Sequence, residues 1–249
     1  MTTRRRHSRP LLYMRAALFW LGFAPSTVLF AVFGPLTLPL SWHGRYRIMS
    51  QWTRFNVWWL GVTCGLKYEV KGREHLEGEA GVLLCKHQST WETIALQRFI
   101  PPEVYVLKRE LMRIPFFGWG MAVMEPIAID RGAGRRALEQ LVEQGRDRLE
   151  RGLWVVMFPE GTRVAPGTRG RYKQGGAVLA ARTGRRVVPV AHNAGVYWPR
   201  HSFIKYPGTV RVEIGPPIEA RDREPDAILR DVEAWIESRQ EELDAVERP

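Results

Sequence analysis

The stretch that decides how this chain is read is Gly81-Val82-Leu83-Leu84-Cys85-Lys86-His87-Gln88-Ser89-Thr90-Trp91-Glu92. Its first part is apolar without alternation, the pattern of a strand covered on both faces, and it breaks abruptly into polar side chains. In an α/β sheet ligands gather at the carboxyl ends of the strands, so the polar run lies where chemistry is expected. His87 precedes Glu92 by five residues. Five residues of ideal helix turn through about 500°, so the two cannot share a helix face. The spacing places His87 in the strand–helix turn and Glu92 in the first helical turn, reaching back. A carboxylate so placed orients an imidazole as a general base. A structural reading competes with this, because Ser89-x-x-Glu92 is also a capping box that closes a helix start.

Outward from this stretch the same alternation continues. Strands are expected at 67–70, 81–85, 104–107, 127–129, 153–158, 187–191 and 210–214. Between them, Ala137, Leu138, Leu141, Val142 and Leu149 recur at helical spacing and Gly152 follows as a stop. Residues 173–183 and 227–246 read as helices too, the last with Ile228, Leu229, Val232, Trp235, Ile236 and Leu243 on one side. Strand alternating with helix implies an α/β domain, a largely parallel central sheet flanked by helices. No internal repeat or low-complexity tract interrupts it. The expected organisation is a membrane-anchoring segment over 1–66 and an α/β domain over 67–249.

The first 66 residues differ from the rest in kind. Residues 1–68 carry nine basic side chains, including Arg4, Arg5 and Arg6, and no acid, while residues 219–249 carry eleven acids against five bases. The whole chain of 249 residues has 37 basic and 26 acidic side chains, a net charge of +11. A basic chain meets nucleic acid, an anionic membrane or a phosphorylated substrate. The basic end is also the greasy one: no charge falls between Ala16 and Ser41, and five of the ten tryptophans (Trp20, Trp42, Trp52, Trp58, Trp59) lie in the first 60 residues. That combination describes a lipid interface and argues against a nucleic-acid partner. As a helix, residues 16–40 would reach about 38 Å, enough for a hydrocarbon core of about 30 Å. Pro25, Pro35 and Pro39 interrupt the stretch, so a broken or re-entrant pair of short helices is expected. Its bland alternative is an apolar hairpin folded onto the soluble core. A second amphipathic stretch over 52–66 is expected against the same surface. The apolar run is too long for a cleaved signal peptide. The two cysteines, Cys64 and Cys85, form no CxxC or Cys/His cluster, so neither a disulfide framework nor a metal site is expected, and a reducing compartment fits.

Further polar motifs follow other strands. Phe158-Pro159-Glu160-Gly161-Thr162-Arg163 offers a glycine for close backbone approach, a hydroxyl and an arginine suited to bidentate phosphate binding. Asp130-Arg131 and Lys108 add cations at two more strand ends. Taken alone, each of these motifs reads first as a tight turn or a solvated surface charge. In order and spacing, however, His-x4-Glu, Lys108, Pro115-x-x-Gly118, Ile129-Asp130-Arg131, Phe158–Arg163 and Val187-Val188-Pro189-Val190 together resemble the glycerolipid acyltransferase family over about residues 70–218.

The resemblance implies an acyltransferase that moves a fatty acyl group from acyl-CoA or acyl carrier protein to the free hydroxyl of 1-acylglycerol 3-phosphate, making phosphatidic acid for phospholipid synthesis. It implies His87 as base and Glu92 as its carboxylate partner. Lys108, Arg131, Glu160, Gly161, Thr162 and Arg163 would hold the acceptor's phosphate, and Val187–Val190 would lie near the acyl site. No cofactor and no metal are implied beyond the thioester co-substrate, and the expected location is the cytoplasmic face of the inner membrane. Two positions depart from the family pattern: Glu92 stands where Asp is usual and Lys86 where Asn is frequent. Lys86 is expected to act as a cation beside the base and on the choice of acceptor. Glycerol 3-phosphate and lyso-ornithine lipid are the rival acceptors, and a non-catalytic membrane-binding protein is the rival from outside enzymology.

Overall fold

The computed structural model describes residues 8–100 and 102–245; Arg4, Arg5, Arg6 and Val246 lie outside them. Two long helices, α1 (Arg9–Phe33) and α2 (Trp42–Cys64), lead into β1 (Leu66–Lys71), β2 (Val82–Cys85), α3 (Trp91–Ala95) and β3 (Glu103–Lys108). There follow α4 (Phe117–Val123), β4 (Ile127–Ile129), α5 (Arg135–Glu150), β5 (Trp154–Met157), α6 (Gly175–Thr183) and β6 (Val187–His192). The chain ends with α7 (Ala194–Tyr197), β7 (Gly208–Ile214) and α8 (Pro225–Asp244).

The strands form one seven-stranded sheet in the order β1-β7-β6-β2-β5-β3-β4. The run β6-β2-β5-β3-β4 is parallel throughout, while β7 is antiparallel to β6 and parallel to β1. The largely parallel sheet read from the sequence is therefore present, with two reversed strands at one edge. Every residue of β2 and β6 is buried, because alternate side chains enter two separate cores. Leu83, Cys85, Val188 and Val190 face the layer built from α1, α2 and α3, where Phe19, Leu60 and Trp91 pack. Val82, Leu84 and Val187 face Leu141, Leu179, Ile228 and Val232 from α5, α6 and α8.

The N-terminal stretch differs from its expected form. It does not break at Pro25: α1 continues through it for 25 residues. The hydroxyls of Ser26 and Thr27 both donate to Phe23 O, at 3.0 and 2.7 Å, turning local polar groups into the helix around the proline. The chain turns instead at the 3-10 segment Gly34–Thr37, with Pro35 in its first turn. From there α2 returns antiparallel along α1. Gly22 permits this close approach, since a Cβ there would sit 2.2 Å from Trp59 Nε1, which donates to Leu18 O and Phe19 O. The expected 52–66 stretch forms the second half of this longer helix as far as Cys64; Gly65 caps it and Leu66 already belongs to β1.

The hairpin combines the two readings of its sequence. One stripe, with Leu12, Ala16 and Phe19, is buried on the domain. Ala31 is buried too and Trp20, Phe23 and Phe30 are partly covered, while Leu21, Val28, Leu29, Phe33 and Leu36 are exposed. Within Arg9–Thr37 the most apolar 18-residue window has a mean hydropathy of 1.9, and only 17% of it is buried. Leu111, Ile114, Phe116, Phe117 and Trp119, in and before α4, extend the exposed apolar surface, and α4 touches α1 where Gly120 meets Ala31. An apolar surface of this extent on a basic, tryptophan-rich element marks membrane association.

A buried polar contact ties α2 to the sheet, where Tyr46 OH donates to Glu103. Burial pushes the Glu103 carboxyl up to about 8, against the hydrogen bonds from Tyr46 and Gln97. An acid whose folded pKa is raised contributes stability that is complete below its unfolded value of about 4.3 and is lost as pH climbs through the folded one. Glu103→Gln, which cannot ionise, is expected to match the parent Tm at about pH 4 and to exceed it by a growing margin up to about pH 8. Melting curves with parallel pH dependence would contradict this account of Glu103.

Candidate active site

The carboxyl ends of β2, β3, β4 and β5 bring the polar motifs together. At the end of β2 the chain turns so that His87 Nδ1 lies 2.8 Å from Glu92 Oε1. Glu92 sits in the first turn of α3, and its Oε1 also accepts from Gln88 N at 2.9 Å and Ser89 N at 2.8 Å. The capping and orienting readings are thus one geometry, in which a single carboxylate closes the turn and holds the ring. Ser89 Oγ accepts from Trp91 N at 3.1 Å and donates to Trp198 O at 2.6 Å.

Glu92 is wholly buried, yet its pKa lies below the ordinary carboxylate value. Burial pushes it up, but His192, His87 and the Ser89 N–H together outweigh that push. An ionised Glu92 only accepts, so the bonded Nδ1 of His87 carries a proton, and in the neutral ring the lone pair is then on Nε2. The His87 ring stacks on Phe158, centroids 4.1 Å apart at 19°, and its side chain is 15% exposed. The ring is therefore held by Glu92 at one edge and by Phe158 on one face, and part of it remains open.

The Phe158–Arg163 loop after β5 is stitched to the same turn. Val164 N donates to His87 O at 2.8 Å, and Arg163 Nη1 donates to Thr90 Oγ1 at 2.9 Å. Arg131, after β4, donates to Gly161 O at 2.6 Å. Gly161 has φ +68°, and a Cβ there would meet Lys173 Nζ at 2.8 Å, so the turn requires glycine. Thr162 is exposed beside it. Lys108, at the end of β3, is half exposed and pairs with Glu110 at 3.0 Å. Asp130 accepts from Gly132 N at 3.0 Å and lies 3.9 Å from Arg109, rather than pairing with Arg131.

Two sequence expectations take a different form here. Lys86 does not stand as a free cation beside His87. Its side chain is wholly buried, with Nζ 2.9 Å from Glu160, 2.7 Å from Glu237 and 3.2 Å from Thr168 O. Glu160, expected at the acceptor's phosphate, has a fully buried side chain that accepts from His87 N at 3.0 Å and Gly170 N at 3.2 Å. A carboxylate so enclosed positions the loop, and its two oxygens are already engaged by Lys86 and the two N–H groups. Among the described residues no group of three or more His, Cys, Asp or Glu side chains is placed to hold a metal ion.

With this geometry in view, likeness to other proteins is informative. The family model described as "Acyltransferase" matches residues 67–193, about half the chain and all of the strand ends just described. A 1-acyl-sn-glycerol-3-phosphate acyltransferase of Pseudomonas aeruginosa is 43% identical over 240 residues, 94% of this chain and 93% of that protein. The chain belongs to the acyltransferase family. A protein of the same name from Saccharomyces cerevisiae is 30% identical over 72% of this chain, and 61% of its own length is covered. Among solved structures, the 1-acyl-sn-glycerophosphate acyltransferase of Thermotoga maritima matches with a TM-score of 0.78 over 96% of this chain and 98% of its own. At 20% identity that match shows a shared fold alone.

Residues that no motif announces also pack around the His87 turn. Phe158 stacks under the His87 ring, and Arg200 donates to Arg163 O at 2.7 Å. The acidic helix α8 buttresses the site from behind. Glu237 reaches Lys86, Asp244 accepts from Gln88 Nε2 at 3.1 Å and from Gly167 N at 2.8 Å, and Gln240 donates to His192 O at 2.9 Å. The one advance signal for this was the acid excess of residues 219–249 in an otherwise basic chain.

Proposed function

We propose that this acyltransferase transfers a fatty acyl group from an acyl thioester, acyl-CoA or acyl carrier protein, to the free hydroxyl of 1-acyl-sn-glycerol 3-phosphate, forming phosphatidic acid. The observation that carries the reading is the His87–Glu92 pair, in a turn that Arg163 joins through Thr90 and facing a loop that Arg131 joins through Gly161. It joins a near full-length likeness to a relative named for this reaction.

In the proposed step, His87 Nε2 takes the proton of the acceptor hydroxyl as its oxygen attacks the thioester carbonyl carbon. Glu92 stabilises the imidazolium that forms. The carbon–sulfur bond then breaks, and the departing thiolate takes the proton back from His87, so the base is regenerated and no group stays on the protein. Gly161 N–H is already given to Phe158 O at 3.0 Å, so the carbonyl oxygen depends on other donors. Arg131, Arg163 and Lys108 hold the phosphate and bring the hydroxyl to the base, a positioning role rather than a chemical one. The bare apolar hairpin lets an amphiphilic acceptor approach from the lipid. Soluble thioester donors and two free cysteines support the cytoplasmic face of the inner membrane as the place of reaction.

Thiol release from acyl-CoA is the test, run with 1-acylglycerol 3-phosphate, glycerol 3-phosphate and lyso-ornithine lipid as acceptors. Release only with the first is expected; preference for either of the others would reassign the acceptor, and release with none would remove the enzyme reading. In the same assay, Arg163→Ala should cut kcat/KM for the phosphate acceptor by about 10–100-fold, as loss of one charge-assisted contact would. The KM for acyl-CoA should hold. An effect confined to the thioester would place Arg163 elsewhere.

A further inference from the structure

Arg54 of α2, Lys67 of β1 and Arg98, in the 3-10 turn after α3, line one cleft of about 380 Å³ on the hairpin side of the sheet. Neither Asp nor Glu contributes to its wall. Among the described residues none of these three cations has a carboxylate partner. Glu69, the nearest acid along the strand, sits in register with Arg211 and does not line the cleft. Three uncompensated like charges around one hollow repel each other, and an anion seated among them relieves that repulsion.

The remaining wall specifies what is attached to the anion. Trp58 and Val62 line the cleft and are 58% and 59% exposed. They continue the bare apolar face of α2 formed with Ile48 and Phe55. A ligand matching both halves has a phosphate head and apolar tails. None of the lining residues belongs to the His87 site.

We infer that this cleft binds the headgroup of an anionic phospholipid of the bilayer, with its acyl chains against Trp58 and Val62. The lipid is not a reactant. It fixes the depth and tilt at which the hairpin sits, and so holds the His87 opening at a constant height over the lipid surface. This goes beyond the acyl transfer proposed above.

The test uses the full chain. Titrating detergent-solubilised protein with short-chain phosphatidylglycerol should give saturable binding, and short-chain phosphatidylcholine should give none. Gly61 also lines the cleft, and a Cβ there meets nothing nearer than Leu66 O at 3.7 Å. Gly61→Leu therefore fills the hollow without touching charge and should abolish the saturable binding. On phosphatidylglycerol-containing vesicles, Arg54→Gln/Lys67→Gln/Arg98→Gln should weaken partitioning about a hundredfold, as three basic residues at an anionic surface would. Arg136→Gln/Arg221→Gln/Arg230→Gln removes the same charge from the side of the sheet covered by α5 and α8, and should weaken it far less. Equal losses in the two triple variants would reduce the site to diffuse charge and overturn the inference. Binding of phosphatidate or its lyso form but not of phosphatidylglycerol would make the cleft a reactant site and overturn it too. Turnover of a short-chain acceptor in detergent should stay at the parent level in all three variants, which keeps this outcome separate from failure of the acyltransferase reading.

Discussion

His87→Ala is expected to lower kcat for acyl transfer by about 10²–10⁴-fold, the usual worth of a positioned general base, while the protein stays folded. The structural duties at this position belong to the backbone. His87 O accepts from Val164 N at 2.8 Å and His87 N donates to Glu160 at 3.0 Å, and alanine keeps both. Glu92 loses its ring partner but retains the N–H groups of Gln88 and Ser89. The stacked face of Phe158 becomes more exposed, at a small cost in packing. Single-turnover kinetics with a thermal melt of the same sample check the two halves together: a collapsed rate with a melt within a few degrees of the parent is the expected pair. Undiminished turnover would remove His87 as the base. A collapsed melt would mean that the ring, and not the backbone, holds the loops.

Much of the fold was legible because its central strands are buried on both sides. β2, β5 and β6 are continuous apolar runs, and such runs have few other uses in a chain of this composition. The order of the strands was not legible. β5 enters between β2 and β3, and β7 reverses against β6; these choices are made by helices packing across the sheet, which no local pattern records. Pro25 shows the same limit. Its local rule predicts a break, while the neighbouring hydroxyls of Ser26 and Thr27 and the packing of α2 let the helix run on.

At the site, the residues near one another in sequence were readable and those joined across it were not. His87 and Glu92 declare themselves by spacing, although spacing could not separate orienting from capping; the structure has Glu92 do both. Lys86 and Glu237 are 151 residues apart, and only the folded chain shows that the charge at position 86 is already spent. Lys205 is similar. It is buried with Nζ 4.3 Å from the Trp20 ring, 4.6 Å from Phe19 and 4.7 Å from Trp198, and that burial brings its pKa down to about 8. Its sequence neighbours give no hint that α1 will close over it.

Lys86→Met is expected to destabilise the protein by about 3–5 kcal/mol, the cost of breaking a buried ion pair by removing one partner. For a chain of this size that corresponds to a Tm lower by about 6–20 °C. The ammonium group meets three oxygens, from Glu160, Glu237 and Thr168, and its side chain is wholly buried. Methionine fills nearly the same volume, so the loss is electrostatic rather than a cavity. Glu160 is left buried without its counter-charge, whereas Glu237 keeps 19% exposure and the Tyr172 hydroxyl. The burden therefore falls on Glu160, which also holds His87 N–H. Two consequences follow from that asymmetry. Lys86→Met should lower kcat as well as Tm, because the carboxylate that pins the base's backbone is disturbed. Lys86→Met/Glu160→Gln should recover part of the lost Tm, since the amide removes the orphaned charge and its oxygen still accepts a backbone N–H. A double variant at or below the sum of the two single losses would show that the pair is not coupled, and that Glu160 holds the loop without help from Lys86.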